Sequence, residues 1–334
     1  MARAFWVTGP SQGQIRPALQ GEAAATATGR DLEMAQVKTL YSGISRGTES
    51  LVFANRIPQT EYLPMRAPFQ EGDFPFPVKY GYANVGCVTD GPENLKGRSV
   101  FCLFPHQDDY QVPAQAVIPL PEDLPEHRAV LAANMETAIN GLWDSSPGIG
   151  DRIAVVGLGV VGCLVAWLAS RIPGTRVTAI DINPKRRAVA EALGLNFVTD
   201  CAADDHDLVV HASGHPSGLD TALRLCGVEA RLTEMSWYGT QPVAVPLGQA
   251  FHSRRLTLRS SQVGQLAPGQ KPRWTHRSRM QLALRLLCEP GLDHLVSGES
   301  PFEQLPQVMA SLAGQLERPD LPRPDETLCH RIVY

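Results

Sequence analysis

The sequence predicts an α/β protein with two architectures in one chain. A small β-barrel-like domain comes first, and a doubly wound parallel sheet flanked by helices follows. Two observations carry this expectation. Over residues 1 to about 120, short apolar or alternating runs at 35–41, 85–89, 98–104 and 116–120 are punctuated by Gly and Pro, the pattern of a small all-β unit. Between Arg152 and Asp181 the pattern changes. A β-branched apolar run, 153–156, leads into three spaced glycines, then an apolar segment of helix length, then a second apolar run that stops on an acid. Continuous apolar runs of strand length, joined by a helix, indicate parallel strands covered on both faces.

Each part of that second stretch has a physical task. Gly157, Gly159 and Gly162 are spaced G-x-G-x-x-G directly after the strand. The first permits the tight turn, the second lets a pyrophosphate approach the backbone, and the third lets helix and strand pack closely. The helix that begins at Val160 and Val161 directs free N–H groups and its positive dipole end toward phosphate. Asp181 follows Gly162 by about 20 residues, the interval at which an acid takes the ribose hydroxyls of a dinucleotide. The predicted cofactor contacts are therefore Gly157, Gly159, Val160, Val161, Gly162 and Asp181, with NAD(H) preferred. Ile182, Asn183 and Pro184 supply no cation for a 2′-phosphate, whereas Lys185, Arg186 and Arg187, one turn later, keep NADP(H) possible. The competing reading is a tight strand–helix turn in an unrelated α/β protein.

The remaining elements follow in order. A breaker-poor stretch, 126–143, reads as a helix and 147–150 as its end. Asn183 and Pro184 open a second helix over 184–193, which Gly194 stops. Strands are expected at 208–211, 231–235 and 256–260, and a helix over 218–225 with Gly227 as its cap. A polar, basic linker spans 264–279, where Arg273, Trp274, Arg277 and Arg279 serve either an anionic substrate or solvent. Helices at 280–288 and 302–316 and a strand at 328–334 complete the reading. The proline-rich stretch 56–77 reads as a long surface loop.

Composition narrows the function classes. The 334 residues are 43% hydrophobic and 19% charged, as in ordinary globular proteins. A net charge of −4 gives no reason to expect a nucleic-acid partner, and no apolar run reaches membrane-spanning length. The opening residues are too briefly apolar for a signal peptide. Seven cysteines without a C-x-x-C pair favour free thiols in a cytoplasm over a disulfide frame. A small-molecule substrate is the partner that remains.

The residues 43–49 (Gly-Ile-Ser-Arg-Gly-Thr-Glu), 81–86 (Gly-Tyr-Ala-Asn-Val-Gly), 97–101, the glycine motif and 209–214 resemble the medium-chain dehydrogenase/reductase superfamily over nearly the whole chain. The resemblance implies a GroES-like β-barrel catalytic domain over 1–125, a Rossmann doubly wound parallel sheet over 126–265, and a C-terminal return to the catalytic domain over 266–334. It also implies a homodimer, paired through the strand near 256–260. Thr137, Arg46 and Ser213 fall where relatives contact the cofactor. Within the superfamily, 43–49 is most similar to the branch containing bacteriochlorophyllide dehydrogenase.

Departures from the family pattern are as informative. Zinc-dependent members place Cys, His and Cys or an acid where this chain has Ser45, Tyr82 and Ala133. None is a usual zinc ligand, so no zinc is expected. The expected catalytic residues are Tyr82, Ser45, Glu49, His106 and Glu136. Tyr82 either donates a proton to the reacting oxygen or fills the space of the metal. Glu49 either relays a proton or pairs with an Arg, while Thr48 stabilises a turn. His106 is either at the site or solvated. Glu136 either reaches the nicotinamide region or caps its helix, and His211 packs in the core. The implied activity is zinc-independent, NAD(P)(H)-dependent hydride transfer to or from a carbonyl, alcohol or conjugated enone. The alternatives are a bacteriochlorophyllide-type alcohol dehydrogenase acting on a large substrate, and a catalytically silent nucleotide-binding sensor or structural protein.

Overall fold

A computed structural model of the chain describes residues 1–18 and 33–334. The chain divides into two compact units. One comprises Met1–Ala133, Leu284–Pro290 and Val296–Tyr334; the other comprises Asn134–Ala283 and Gly291–Leu295.

The second unit is built on a six-stranded sheet. Its strands, in spatial order, are Asn196–Val198, Arg176–Ile180, Arg152–Val156, His206–His211, Cys226–Glu234 and Thr257–Ser260, all parallel. In sequence terms this order is 3-2-1-4-5-6, the doubly wound arrangement whose ligands bind beyond the carboxyl ends of the strands. Beyond Arg152 the central strand is apolar because helices cover both faces; Ile153, Ala154 and Val155 are fully buried. Val156, Ile180, Val209, Leu219, Leu223 and Leu232 share one core cluster. The helix Val160–Ala169 buries most of its residues, which explains why its sequence shows little polar stripe.

The first unit is all-β in character. A seven-stranded sheet contains the long strand Met34–Ile44, flanked by Asn84–Asp90 on one side and Cys329–Val333 on the other. A four-stranded sheet contains Arg3–Gly9 and Gln12–Pro17. Val37, Val88, Val100, Phe104, Tyr110 and Val112 form the core beneath the larger sheet. The closing strand pairs antiparallel with Met34–Ile44, setting Ile332 opposite Ser42 and Val333 opposite Tyr41. That register brings Tyr334 to the Ser42 side chain.

Several element boundaries differ from expectation. Gly227 does not cap the helix Pro216–Leu225; Cys226 is already extended, and Gly227 lies inside the strand Cys226–Glu234, where a Cβ would crowd Asp205 at 3.1 Å. The expected helix over 126–143 is two helices, Glu126–Ala129 and Ala132–Ser145. The basic linker ends early, because the helix His276–Leu286 begins inside it. The helix Arg46–Phe53 and the three-residue strand Asn196–Val198 were not expected, since both are too short to show a period. The stretch 56–77 carries little regular structure, a short 3₁₀ turn at Gln59–Glu61 and the strand Glu71–Gly72.

Candidate functional site

In the second unit the glycines divide the work as their spacing predicts. Gly157 has φ +96°, and a Cβ there would lie 2.4 Å from Ser213 Cα. A Cβ on Gly162 would lie 1.8 Å from the Gly157 carbonyl oxygen. Both positions therefore exclude a side chain, one by conformation and one by packing. Gly159 is different: nothing lies within 4 Å of its Cβ position. The open space sits at the N-terminus of the ten-residue helix Val160–Ala169, for which Gly159 is the N-cap. The first-turn N–H groups of Val160, Val161 and Gly162 have no acceptor within that helix. Free first-turn N–H groups and the positive end of the helix dipole favour an anion at such a position.

Asp181 stands at the carboxyl end of Arg176–Ile180. Its Oδ2 accepts from Leu158 N at 2.7 Å, and its Oδ1 accepts from Asn183 N at 2.8 Å. One hydrogen bond per oxygen leaves lone pairs for two ribose hydroxyls. Asn183 Oδ1 accepts from Lys185 N at 3.0 Å, so the Asn-Pro helix start forms as read. Of the three downstream cations, Arg186 is buried, and the Arg187 guanidinium lies 4.8 Å over the Phe197 ring. Ile182, 89% exposed beside Asp181, presents an apolar surface that the sequence reading did not single out.

At the carboxyl ends of the next two strands lies a polar network. His211 is fully buried, but it does not simply pack in the core. Its Nδ1 meets Glu234 Oε2 at 2.7 Å and its Nε2 meets Ser213 Oγ at 2.6 Å. Tyr238 donates to the same Glu234 oxygen at 3.0 Å. Burial works against the Glu234 charge, yet the hydrogen bonds from His211 and Ser236 hold its carboxyl below the usual range. Ser213 thus stands against the glycine turn, next to Gly157. Thr137 is half-buried on the helix Ala132–Ser145.

Glu136, on the same helix, makes an ion pair with Arg279 at 3.1 Å, and Arg279 also donates to Asn140 Oδ1 at 2.5 Å. Both charges are buried, and desolvation raises the Glu136 carboxyl despite its partner. Arg279 therefore faces inward, not toward an anionic substrate. Trp274 lies against Trp143 with ring centroids 5.0 Å apart.

In the first unit the candidates converge around the helix Arg46–Phe53. Ser45 is its N-cap residue, and the Ser45 backbone N–H donates to Glu49 Oε1 at 2.7 Å. Arg46 is the first residue of that helix and half-buried. Glu49 is itself buried and its other oxygen meets His106 Nε2 at 2.8 Å, so it pairs with a histidine where an arginine was one expectation. His106 is not a solvated loop residue: it is 1% exposed, and its Nδ1 meets Ser42 Oγ at 2.7 Å. Ser42 Oγ in turn meets the Tyr334 hydroxyl at 2.9 Å. Gly81, at φ +129°, lets the imidazole in; a Cβ there would lie 2.9 Å from His106 Cδ2. The Ser45 and Thr48 side chains lie near the Tyr82 phenol and favour its ionised form. Burial first, and the Glu49 charge second, push the Tyr82 phenol up to about 12. Ser42 and Tyr334 escaped the sequence reading, because a contact across 292 residues has no local signal.

These donors do not fit a zinc ion, which takes three His, Cys or carboxylate ligands and an open position. Ser45 offers only a hydroxyl, Ala83 and Ala133 offer no side-chain donor, and Glu49 and His106 bind each other. Among the described residues, no group of three His, Cys, Asp or Glu side chains is placed to hold a metal ion. No helix among them is long and apolar enough to cross a membrane.

Comparison with solved structures establishes the fold. The chain is similar over its full length to 2R,3R-butanediol dehydrogenase from Bacillus subtilis, with a TM-score of 0.74, 17% identity and 100% of each chain covered. It is similar to a putative zinc-binding dehydrogenase from Sinorhizobium meliloti 1021 bound to NADP, with a TM-score of 0.74 and 15% identity, covering 100% of this chain and 99% of the other. A protein described as a short chain alcohol dehydrogenase, from Escherichia coli CFT073 and complexed with NADH, gives 0.72 and 16%, again covering 100% and 99%. The chain therefore shares the fold of these dehydrogenases, a GroES-like β-barrel unit with a Rossmann-type parallel sheet. Among curated sequences, L-threonine 3-dehydrogenase of Rhizobium rhizogenes is 29% identical over 124 residues, 37% of this chain. The match covers 36% of that relative's length. The L-threonine 3-dehydrogenase of Ruegeria pomeroyi is likewise 29% identical, over 126 residues, with 37% of this chain and 36% of the relative covered. No protein-family model matches the chain.

Proposed function

We propose that this chain is a zinc-independent NAD(P)(H)-dependent oxidoreductase of the medium-chain dehydrogenase/reductase superfamily, on the branch nearest bacteriochlorophyllide dehydrogenase. It acts on a small carbonyl, alcohol or conjugated enone. The observation that carries this reading is the open space at Gly159, at a helix N-terminus, with Asp181 bonded to the same turn through Leu158 N. The names of relatives with bound NADH or NADP support it. When bound, the nicotinamide supplies hydride chemistry at its C4. Gly157, Gly159, Val160, Val161 and Gly162 hold the pyrophosphate, Asp181 the adenosine ribose, and exposed Ile182 offers the adenine an apolar contact. Arg46, Thr137 and Ser213 complete the cofactor contacts.

The proton belongs to Tyr82. Its phenol stays protonated at neutral pH, because burial and Glu49 hold it up at about 12. A developing alkoxide is more basic still, so transfer to it is downhill. The Ser45 and Thr48 hydroxyls near the phenol favour the phenolate left behind. The test is oxidation of NADH and NADPH with a panel of carbonyls and enones, and reduction of the oxidised cofactors with alcohols. Tyr82→Phe is expected to lower turnover on the order of 100-fold with cofactor affinity little changed. Tight cofactor binding without turnover on the whole panel would favour a silent sensor, and unchanged turnover in the variant would return Tyr82 to space filling.

Two further elements follow from the same reading. The donor set around Ser45 predicts that elemental analysis of purified protein finds no stoichiometric zinc and that chelators leave activity intact; about one zinc per chain would overturn this. A homodimer is proposed through Thr257–Ser260, an edge strand exposed along its length. The free cysteines support a cytoplasmic setting.

A further inference from the structure

We propose that Glu49, His106, Ser42 and Tyr334 form a proton path through the barrel unit, joining the neighbourhood of Tyr82 to solvent at a surface cavity lined by Tyr334. The inference rests on the functional reading above only for its purpose; the path itself rests on geometry. Three consecutive contacts, at 2.8, 2.7 and 2.9 Å, link the four side chains without a break. Every member can both accept and donate a proton in some protonation state. Glu49, His106 and Ser42 are 3%, 1% and 1% exposed. A buried polar row of this kind is costly unless each member is satisfied, and here each satisfies the next. At one end, the Ser45 backbone N–H donates to the Glu49 carboxylate, whose charge acts on the nearby Tyr82 phenol. At the other end, Tyr334 lines a cavity of about 310 Å³ together with Thr39 and Asp108. That volume and polarity suit several waters.

The donors also align in one direction. With Glu49 ionised, His106 donates from Nε2 to Glu49, its Nδ1 accepts from Ser42, and Ser42 accepts from Tyr334. A proton given to the Tyr334 oxygen by an acid in the cavity leaves the conjugate base there. Tyr334 passes its own proton to Ser42, Ser42 to His106 Nδ1, and His106 passes its Nε2 proton to Glu49. One proton has entered and one has arrived on Glu49, beside the phenol that has lost one; no electron moves. The oxidation direction runs the same row backward. Ser42 and Tyr334 are positioning residues that act through His106.

The test needs no substrate. In protein labelled with ¹⁵N-histidine, exchange of the His106 ring N–H with water is measured by saturation transfer in the unmutated chain, Tyr334→Phe and Ser42→Ala. The path predicts exchange far faster than that of deeply buried backbone amides, slowed about tenfold or more in each variant while the backbone spectrum is preserved. Exchange that is equal in all three, or as slow in the unmutated protein as in the variants, overturns it. With a working substrate, both variants should lose about tenfold in kcat, recovered by a small buffer acid such as imidazolium, with cofactor KM unchanged. A fall that buffer does not relieve marks a purely structural row and also overturns the path. Absence of any turnover sinks the functional reading alone, since the exchange measurement still stands.

Discussion

Asp181 is organised before any dinucleotide arrives. The N–H groups of Leu158 and Asn183 fix both carboxylate oxygens, so no rotamer freedom remains to be lost on binding. A carboxylate held in this way faces two ribose hydroxyls favourably and a 2′-phosphate unfavourably, because like charges at short range repel. Two of the three nearby cations are engaged elsewhere: Arg186 is buried and Arg187 lies over Phe197. Titration at physiological salt should therefore show tighter binding of NADH than of NADPH. Asp181→Ser should shift the ratio toward NADPH by about tenfold, equivalent to ~1.4 kcal/mol. Equal or tighter NADPH binding by the unmutated chain would show that the Lys185 side of the turn outweighs the carboxylate. Tyr82 shows the opposite case, in which residue identity was legible but environment was not. Its place in the Gly-Tyr-Ala motif marked it in the sequence, whereas its place near Ser45, Thr48 and the Glu49 charge depends on a helix, Arg46–Phe53, too short to be read from periodicity.

At the scale of elements, the turn from Arg152–Val156 into Val160–Ala169 separates structural from functional glycines. Gly162 is close-packed against the Gly157 carbonyl, and Gly159 faces open space. Gly162→Ala must push backbone apart, so it should cost several degrees in Tm along with cofactor binding, as overpacking does. Gly159 has an ordinary φ of −71°, so Gly159→Ala should leave Tm within about 1 °C while weakening NAD(H) on the order of tenfold. Calorimetry and cofactor titration on the pair check both halves; an equal loss of stability in the two variants would remove the distinction. This element was legible because buried parallel strands leave apolar runs and the turn leaves glycines. The partnership of Glu136 with Arg279 was not, because it joins residues 143 apart and a basic stretch reads as solvated whether or not one arginine turns inward. Gly227 misled for a related reason: a glycine after a helix has the same letter whether it caps the helix or lets a strand pass close to Asp205.

At the scale of the whole molecule, the closing strand Cys329–Val333 joins residues near the end of the chain to the long strand Met34–Ile44, and His330 lies opposite Ile44 in that register. His330 is 4% exposed, with its Nε2 meeting Ser300 Oγ at 2.9 Å. Burial first, with Arg331 adding and Glu299 opposing, lowers it to about 4. The unfolded chain carries this imidazole near 6.5. Between those values the unfolded state binds more protons than the folded one, so stability falls as pH drops from about 6.5 toward 4, and above 6.5 the group contributes no slope. Denaturant unfolding of the unmutated protein and of His330→Gln, from pH 7.5 to 4.5, isolates the contribution. The advantage of the unmutated chain over the variant should shrink by on the order of 2 kcal/mol across that range, less than the full shift implies because the range ends above the folded-state value. Parallel pH curves for the two proteins would mean that His330 already sheds its proton equally in both states, and that the closing strand is not held by a buried neutral imidazole.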